Sequence, residues 1–340
     1  KKSNKMNNKD IIQNTNVPFD EIFVPSKGIF YKNKKDSFLV KYLTAKEENA
    51  LTSPSLVESG KAVDLVLSSC ILDWDGDAKD MLIGDRDAFF IYLRSTAYGD
   101  KINFEYVCSN CGEKTECNIF LSQLEMKEYE DTPDENGEFS YKLPMMRIKI
   151  NEEEEEREVF IKFSPRTVGD EIEINRLTKL NKKNVKGIEV DSSIEARYIT
   201  QIKSINGIKD KNFIKTIIKR MPISDSSNLR KYMDDIEPGI DNVIKSNCTS
   251  CQHLNQNIIP MGQNFLNLGE EYRKNMMDEI FLVSYYGKGG HTREDLYNMP
   301  IYERRWVMER ISEEVEKRNK AEKAAETKAR SQAKSKGARI

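Results

Sequence analysis

Histidine is scarce in this chain of 340 residues: only His253 and His291 occur, so Ser/His/Asp arrangements and imidazole-built metal sites have little to draw on. No apolar stretch approaches the roughly 20 residues that cross a bilayer, and the polar opening Lys1, Lys2, Ser3, Asn4 lacks the apolar core of a signal peptide. These absences predict a cytoplasm-like compartment and no membrane partner. An excess of one charge is missing as well. Lys plus Arg total 54 against 56 for Asp plus Glu, which creates no overall field toward nucleic acid or lipid. The Gly-rich segment Gly287 to Thr292 lacks the Walker spacing and follows a helical pattern instead of a strand, so a turn capped by Thr292 accounts for it. Asp73, Asp75, Asp77 and Asp80 lack the glutamate that a calcium loop needs at its twelfth position, where Gly84 stands.

What is present describes a globular chain of one large or two ordinary domains, 32% charged and 38% hydrophobic. The fold class expected is α+β, mainly helical, with short β-hairpins and a split four-cysteine zinc ribbon. Residues 1–20 read as a disordered N-terminal arm. In 21–144, two apolar runs, Ile22 to Val24 and Ile29 to Tyr31, with Phe38 to Tyr42 after a Lys-rich turn, predict a hairpin. Thr44 with Glu47 forms a capping box for a helix through Leu51, and helical periodicity marks Ala62 to Leu72 and Arg86 to Ala97. Residues 145–242 read as an inserted block: a hairpin of Arg147 to Ile150 with Val159 to Phe163, flanking a solvated acidic run from Glu152 to Glu158, then helices from Pro165, Ser192 to Ile205, Lys211 to Arg220 and Ser224 to Ile236. Residues 243–316 carry the second knuckle and C-terminal helices, and 317–340 a basic, partly disordered tail.

The chemistry lies in the cysteines. There are six, and in a reducing compartment two CxxC pairs read as metal ligands before disulfides. Cys108 with Cys111, and Cys248 with Cys251, each sit at the tip of a predicted hairpin. Zinc takes four soft anionic donors in a tetrahedron, and one pair fills half of it. Gly112 supplies the backbone freedom of a tight knuckle. About 136 residues separate the pairs, but an insertion that folds by itself adds little closure entropy. The four cysteines are therefore expected to hold one structural zinc with no open position for water. Two unrelated pairs of reduced thiols are the bland alternative; a redox CxxC would open a helix, and neither pair does. His253 is expected exposed or beside the ligands, Cys70 as a small core residue. Trp306 and Arg305 are of the types that anchor interfaces, or they anchor the core.

Several segments together resemble the T-even-type phage baseplate protein family, associated with the central hub of contractile tails. They are Val24-Pro25-Ser26-Lys27-Gly28 with Phe30-Tyr31, Tyr42-Leu43-Thr44 with Lys46-Glu47-Glu48, and Asp85-Arg86 with Leu93-Arg94 and Tyr98-Gly99. Cys108-Ser109-Asn110-Cys111-Gly112 and Met299-Pro300-Ile301-Tyr302-Glu303-Arg304-Arg305-Trp306 complete the set, which covers most of residues 21 to 310. The resemblance implies a non-enzymatic structural or assembly protein in the virion tail baseplate, made in host cytoplasm, bound to other tail proteins and an oligomer within a symmetric assembly. An assembly chaperone that leaves before maturation is one alternative. A zinc-ribbon nucleic-acid-binding protein is another, which Glu105, Glu113 and Glu116 beside the knuckles oppose.

Overall fold

Short apolar runs broken by polar turns produce helices and, among the described residues, five small antiparallel sheets, an α+β fold. The computed structural model describes residues 17–58, 61–128, 131–149, 155–180, 183–185, 188–190, 192–259, 265 and 270–337. Most of the expected N-terminal arm and Glu152 to Glu154 of the acidic run lie outside them.

Strands β1 (Phe19–Phe23) and β2 (Ser37–Lys41) pair with Phe19 opposite Lys41. Ile29 to Tyr31, expected as strand, form turns instead. The cause is a close backbone approach: Gly28 has φ 69°, and a Cβ there would stand 2.4 Å from the Lys35 carbonyl oxygen. Tyr31 is thereby turned inward to donate to the buried Asp85 carboxylate, which also accepts from Ser26 N (2.9 Å) and Ser26 Oγ (2.6 Å).

Helix α1 (Ala45–Leu51) starts at Thr44 with both halves of the expected capping box. Helices α2 (Pro54–Glu58) and α3 (Lys61–Cys70) lead to α4 (Ile83–Tyr98). The sequence pattern starts α4 at Arg86, yet it begins at Ile83 with no side-chain cap on Leu82. Its first turn is fixed by tertiary packing: a Cβ on Gly84 would lie 1.9 Å from the Pro238 carbonyl oxygen. Phe38, Val40, Leu43, Val66, Leu67, Cys70, Phe89, Phe90 and Leu93 are buried together here. Each large side chain removed from water contributes about 1.5–3 kcal/mol.

Four further strands follow: β3 (Lys101–Val107) and β4 (Lys114–Phe120), then β5 (Phe139–Ile148) and β6 (Arg157–Phe163). Strand β5 begins well before the expected Arg147. It carries an irregularity between Lys142 and Arg147, around Pro144, and the buried Asp225 carboxylate accepts from the freed amides of Met145 (3.0 Å) and Met146 (2.7 Å). Helix α5 (Val168–Leu180), the small pair β7 (Lys183–Val185) and β8 (Ile188–Val190), and α6 (Ser193–Gln201) come next. Where periodicity predicts a helix to Ile205, α6 stops at Gln201 and Ile202–Ile205 forms β9, the third strand beside β6. β-Branched Ile202 and Ile205 fill the sheet's buried face, and burial overrides helical spacing. Helices α7 (Lys211–Arg220) and α8 (Ile223–Ile236) cover it. This second cluster takes its buried residues from Phe139 through Ile236.

Its two chain ends run side by side. Lys127 N donates to Gly239 O (2.9 Å) and Asp241 N to Glu125 O (2.8 Å). A second strap ties the segment after β6 to the approach to α4: Ile83 N donates to Arg166 O (3.0 Å) and Val168 N to Met81 O (2.8 Å), with Val168 buried in the first cluster. Beyond strands β10 (Val243–Asn247) and β11 (Leu254–Ile258), helices α9 (Glu270–Tyr286), α10 (Arg293–Asn298) and α11 (Ile301–Gly337) bury Met276, Ile280, Val283 and Leu296 with Ala45. Thr292 caps α10 as expected.

Candidate metal centre

Two hairpins present the four cysteines. In β3–β4, Val107 stands opposite Lys114; in β10–β11, Asn247 stands opposite Leu254. The connecting loops, 108–113 and 248–253, have one backbone design. Cys108 N donates to Glu113 O (2.9 Å) and Gly112 N to Cys108 O (2.9 Å). In the second loop Cys248 N donates to His253 O (2.9 Å) and Gln252 N to Cys248 O (3.0 Å). Gly112 has φ 74°, as its role predicts, whereas Gln252 holds the matching position at φ 58°. A non-glycine residue there costs about 1–2 kcal/mol, which the second hairpin's packing must offset.

The hairpins meet tip to tip. Cys108 Sγ lies 3.7 Å from Cys251 Sγ, and Cys111 Sγ lies 3.7 Å from Cys248 Sγ. All four sulfurs fall within 4.8 Å of one another. That separation is compatible with a metal site. Cys108 and Cys248 are buried, while Cys111 and Cys251 face solvent. His253 is exposed and takes part through its carbonyl oxygen.

Hydrogen-bond donors surround the sulfurs. The Thr115 hydroxyl foremost, then the amides of Cys251 and Ser250, push the Cys248 thiol down to about 6. Cys108 is lowered by the amides of Cys111 and Asn110 and by the Asn255 side chain. At Cys111 the Glu113 amide pulls downward, but the sulfurs of Cys251, Cys248 and Cys108 prevail and push it up to about 12. Local donors thus ease Cys108 and Cys248 toward the thiolate, while the neighbouring sulfurs oppose it at Cys111, an opposition that a cation among the sulfurs would remove.

Thr115 and Asn255 were not legible as site residues. Each is a buried polar residue on a strand, and the available signal was their matching offset from Cys108 and Cys248. The remaining candidates fall elsewhere. Cys70 is buried in the first cluster. Asp73 pairs with Lys35, and Asp77 caps a short 3-10 turn through Lys79 N (3.0 Å). Trp306 is 62% exposed, Arg305 lies over the Tyr98 ring at 5.1 Å, and the core anchor is Arg304. Its guanidinium is buried, 2.6 Å from Glu48 Oε2 and 3.2 Å from Glu279 Oε2. Tyr272 donates to the same Glu48 carboxylate. Among the described residues no helix is long and apolar enough to cross a membrane.

The segments named for their resemblance therefore meet as contacts: Ser26 and Tyr31 on Asp85, Glu48 on Arg304. A family model described as T4 bacteriophage base plate protein matches residues 30–267, more than half of the chain and inclusive of both cysteine pairs. No curated protein and no solved structure matches it.

Proposed function

The chain belongs to the T4 bacteriophage base plate protein family, and from that premise we propose that it is a structural or assembly component of the central hub region of a contractile tail baseplate, stabilised by one zinc ion. Cys108, Cys111, Cys248 and Cys251 are the ligands in this reading. The observation that carries it is the convergence of four sulfurs from two distant hairpins. Zinc–sulfur bonds of about 2.3 Å imply tetrahedral edges of about 3.8 Å, close to the 3.7 Å cross-hairpin separations. Four sulfur ligands leave no position for substrate or water, so the metal acts as a fastener; the non-enzymatic role in this reading is supported by the base plate family.

The domain scheme belongs to the same reading: an arm at 1–20, a core of 21–144 and 243–316, an insertion at 145–242 and a tail at 317–340. The paired segments Glu125 to Lys127 and Gly239 to Asp241 support an insertion with a paired stem, to which the bonds of Ile83 with Arg166 and Val168 with Met81 add a second tie, while β5 (Phe139–Ile148) moves the insertion's start ahead of Phe139. Zinc at the neighbouring knuckles then fixes the direction in which that stem points. Binding to other tail proteins is supported by exposed aromatic groups on the C-terminal helices, Phe281, Tyr285 and Trp306. Nucleic acid is the poorer partner, since Glu105 and Glu116 stand directly opposite each other beside the knuckle and repel phosphate.

Mass spectrometry of purified tails tests the role. Recovery of this chain in stoichiometric amount with hub proteins is the expected result. Its absence from finished tails, with presence in assembly intermediates, would favour the chaperone alternative.

A further inference from the structure

The two knuckles share more than a loop design. Thr115 stands seven positions after Cys108, and Asn255 stands seven positions after Cys248. Each side chain crosses to the opposite hairpin. Thr115 Oγ1 lies 3.5 Å from Cys248 Sγ, and Asn255 Nδ2 lies 3.5 Å from Cys108 Sγ. Both residues are almost fully buried, at 3% and 5% exposure. Asn255 is also completely engaged: its Oδ1 accepts from Ser109 N and Ser109 Oγ, each at 3.0 Å, and its Nδ2 donates to His253 O at 3.0 Å.

We infer that Thr115 and Asn255 are reciprocal positioning residues of the metal centre, each donating a hydrogen bond to the opposite hairpin's first thiolate once metal is bound. The inference rests on the zinc reading above. A metal-bound thiolate has no proton, so the Thr115 hydroxyl must be the donor in its contact with Cys248. Four thiolates around a divalent cation leave two negative charges uncompensated. Water can solvate the exposed Cys111 and Cys251, but Cys108 and Cys248 are buried. Those two are the sulfurs that Thr115 and Asn255 reach. The donors thus stand where solvent cannot, and because each crosses between hairpins, filling the site and locking the hairpins together become one event.

The test is zinc competition against a chromophoric chelator on the full chain, with wild type, Thr115→Val, Thr115→Ser and Asn255→Ala. Valine keeps the shape of threonine and removes the donor; serine keeps the donor. Zinc affinity should fall about 10- to 100-fold in Thr115→Val and Asn255→Ala, and Thr115→Ser should stay near wild type. In the cobalt-loaded chain, losing a donor raises the sulfur lone-pair energy, so the sulfur-to-metal charge-transfer band should shift to longer wavelength in Thr115→Val. Equal affinity and an unshifted band in Thr115→Val and Thr115→Ser would overturn the inference while leaving the zinc reading intact. A wild-type chain that takes up no zinc would overturn the zinc reading and this inference with it. If Asn255→Ala fails to fold, the Thr115 pair decides alone.

Discussion

Two fasteners join distant parts of this chain, and they work by opposite physics. The cysteine cluster brings residues 108–111 to 248–251 at half-exposed hairpin tips. The Glu48–Arg304 pair links positions 256 apart, and both side chains are at 0% exposure. In the zinc reading proposed above, the first is completed by a cation, which relieves the opposition of the neighbouring sulfurs to a thiolate at Cys111. The second lies wholly within the chain and carries the desolvation of two charges, so it contributes through its partners: Glu48 and Glu279 on the guanidinium, with Tyr272 donating to the Glu48 carboxylate. In that reading one fastener answers to metal supply and the other to sequence alone.

The largest expected effect comes from breaking the buried pair. Arg304→Met leaves Glu48 buried without its cation and should destabilise the chain by about 3–5 kcal/mol in denaturant unfolding. A Glu48→Leu, Arg304→Met double variant should recover part of that loss, since an apolar pair carries no desolvation cost. Metal content should be unaffected in both.

Chelation should produce the complementary pattern. Hydrogen exchange with a strong chelator should speed up in β3–β4 and β10–β11 while α1 and the start of α11 keep their protection. Acid should do the same, because protons compete with metal for thiolates. Uniform loss of protection across the molecule would erase the distinction between the fasteners.

Glu47 offers a smaller test on the core side. Desolvation raises its pKa, but Lys41, Ser69 and Thr44 outweigh it and hold the carboxyl below its ordinary value. Its contribution is therefore present above the ordinary carboxylate range and lost as pH falls through the folded-state value. Glu47→Gln should cost about 0.5–2 kcal/mol near neutral pH, with the difference from wild type closing as the pH is lowered. The smallest effect separates the two knuckles: Gly112→Ala should destabilise the first hairpin by about 1 kcal/mol, and Gln252→Gly should relax the second by up to about that amount. A Cβ at Gly112 meets nothing within 4 Å, so backbone strain alone is read.

Local signals were legible in the sequence wherever a single segment decides its own structure. Thr44 with Glu47 and Thr292 with Asp295 form both caps through neighbours three residues away. The CxxC spacing likewise pointed to a ligand set. Errors arose where a distant segment decides. Ile202 to Ile205 have helical neighbours but become strand because β6 is there to receive them; Gly84 and Asp85 join α4 because Pro238 and Ser26 press on its first turn. Asn255 shows the same limit inside the site. Its residue type is ordinary for a strand, and only the opposite hairpin turns it toward a sulfur.

Metal content measured on the purified full chain tests the central claim most directly. Native mass spectrometry with elemental analysis should find about one zinc per chain, and Cys248→Ser should lose it together with the protection of both hairpins. A wild-type chain free of zinc, or a Cys248→Ser chain that retains it fully, would contradict the account.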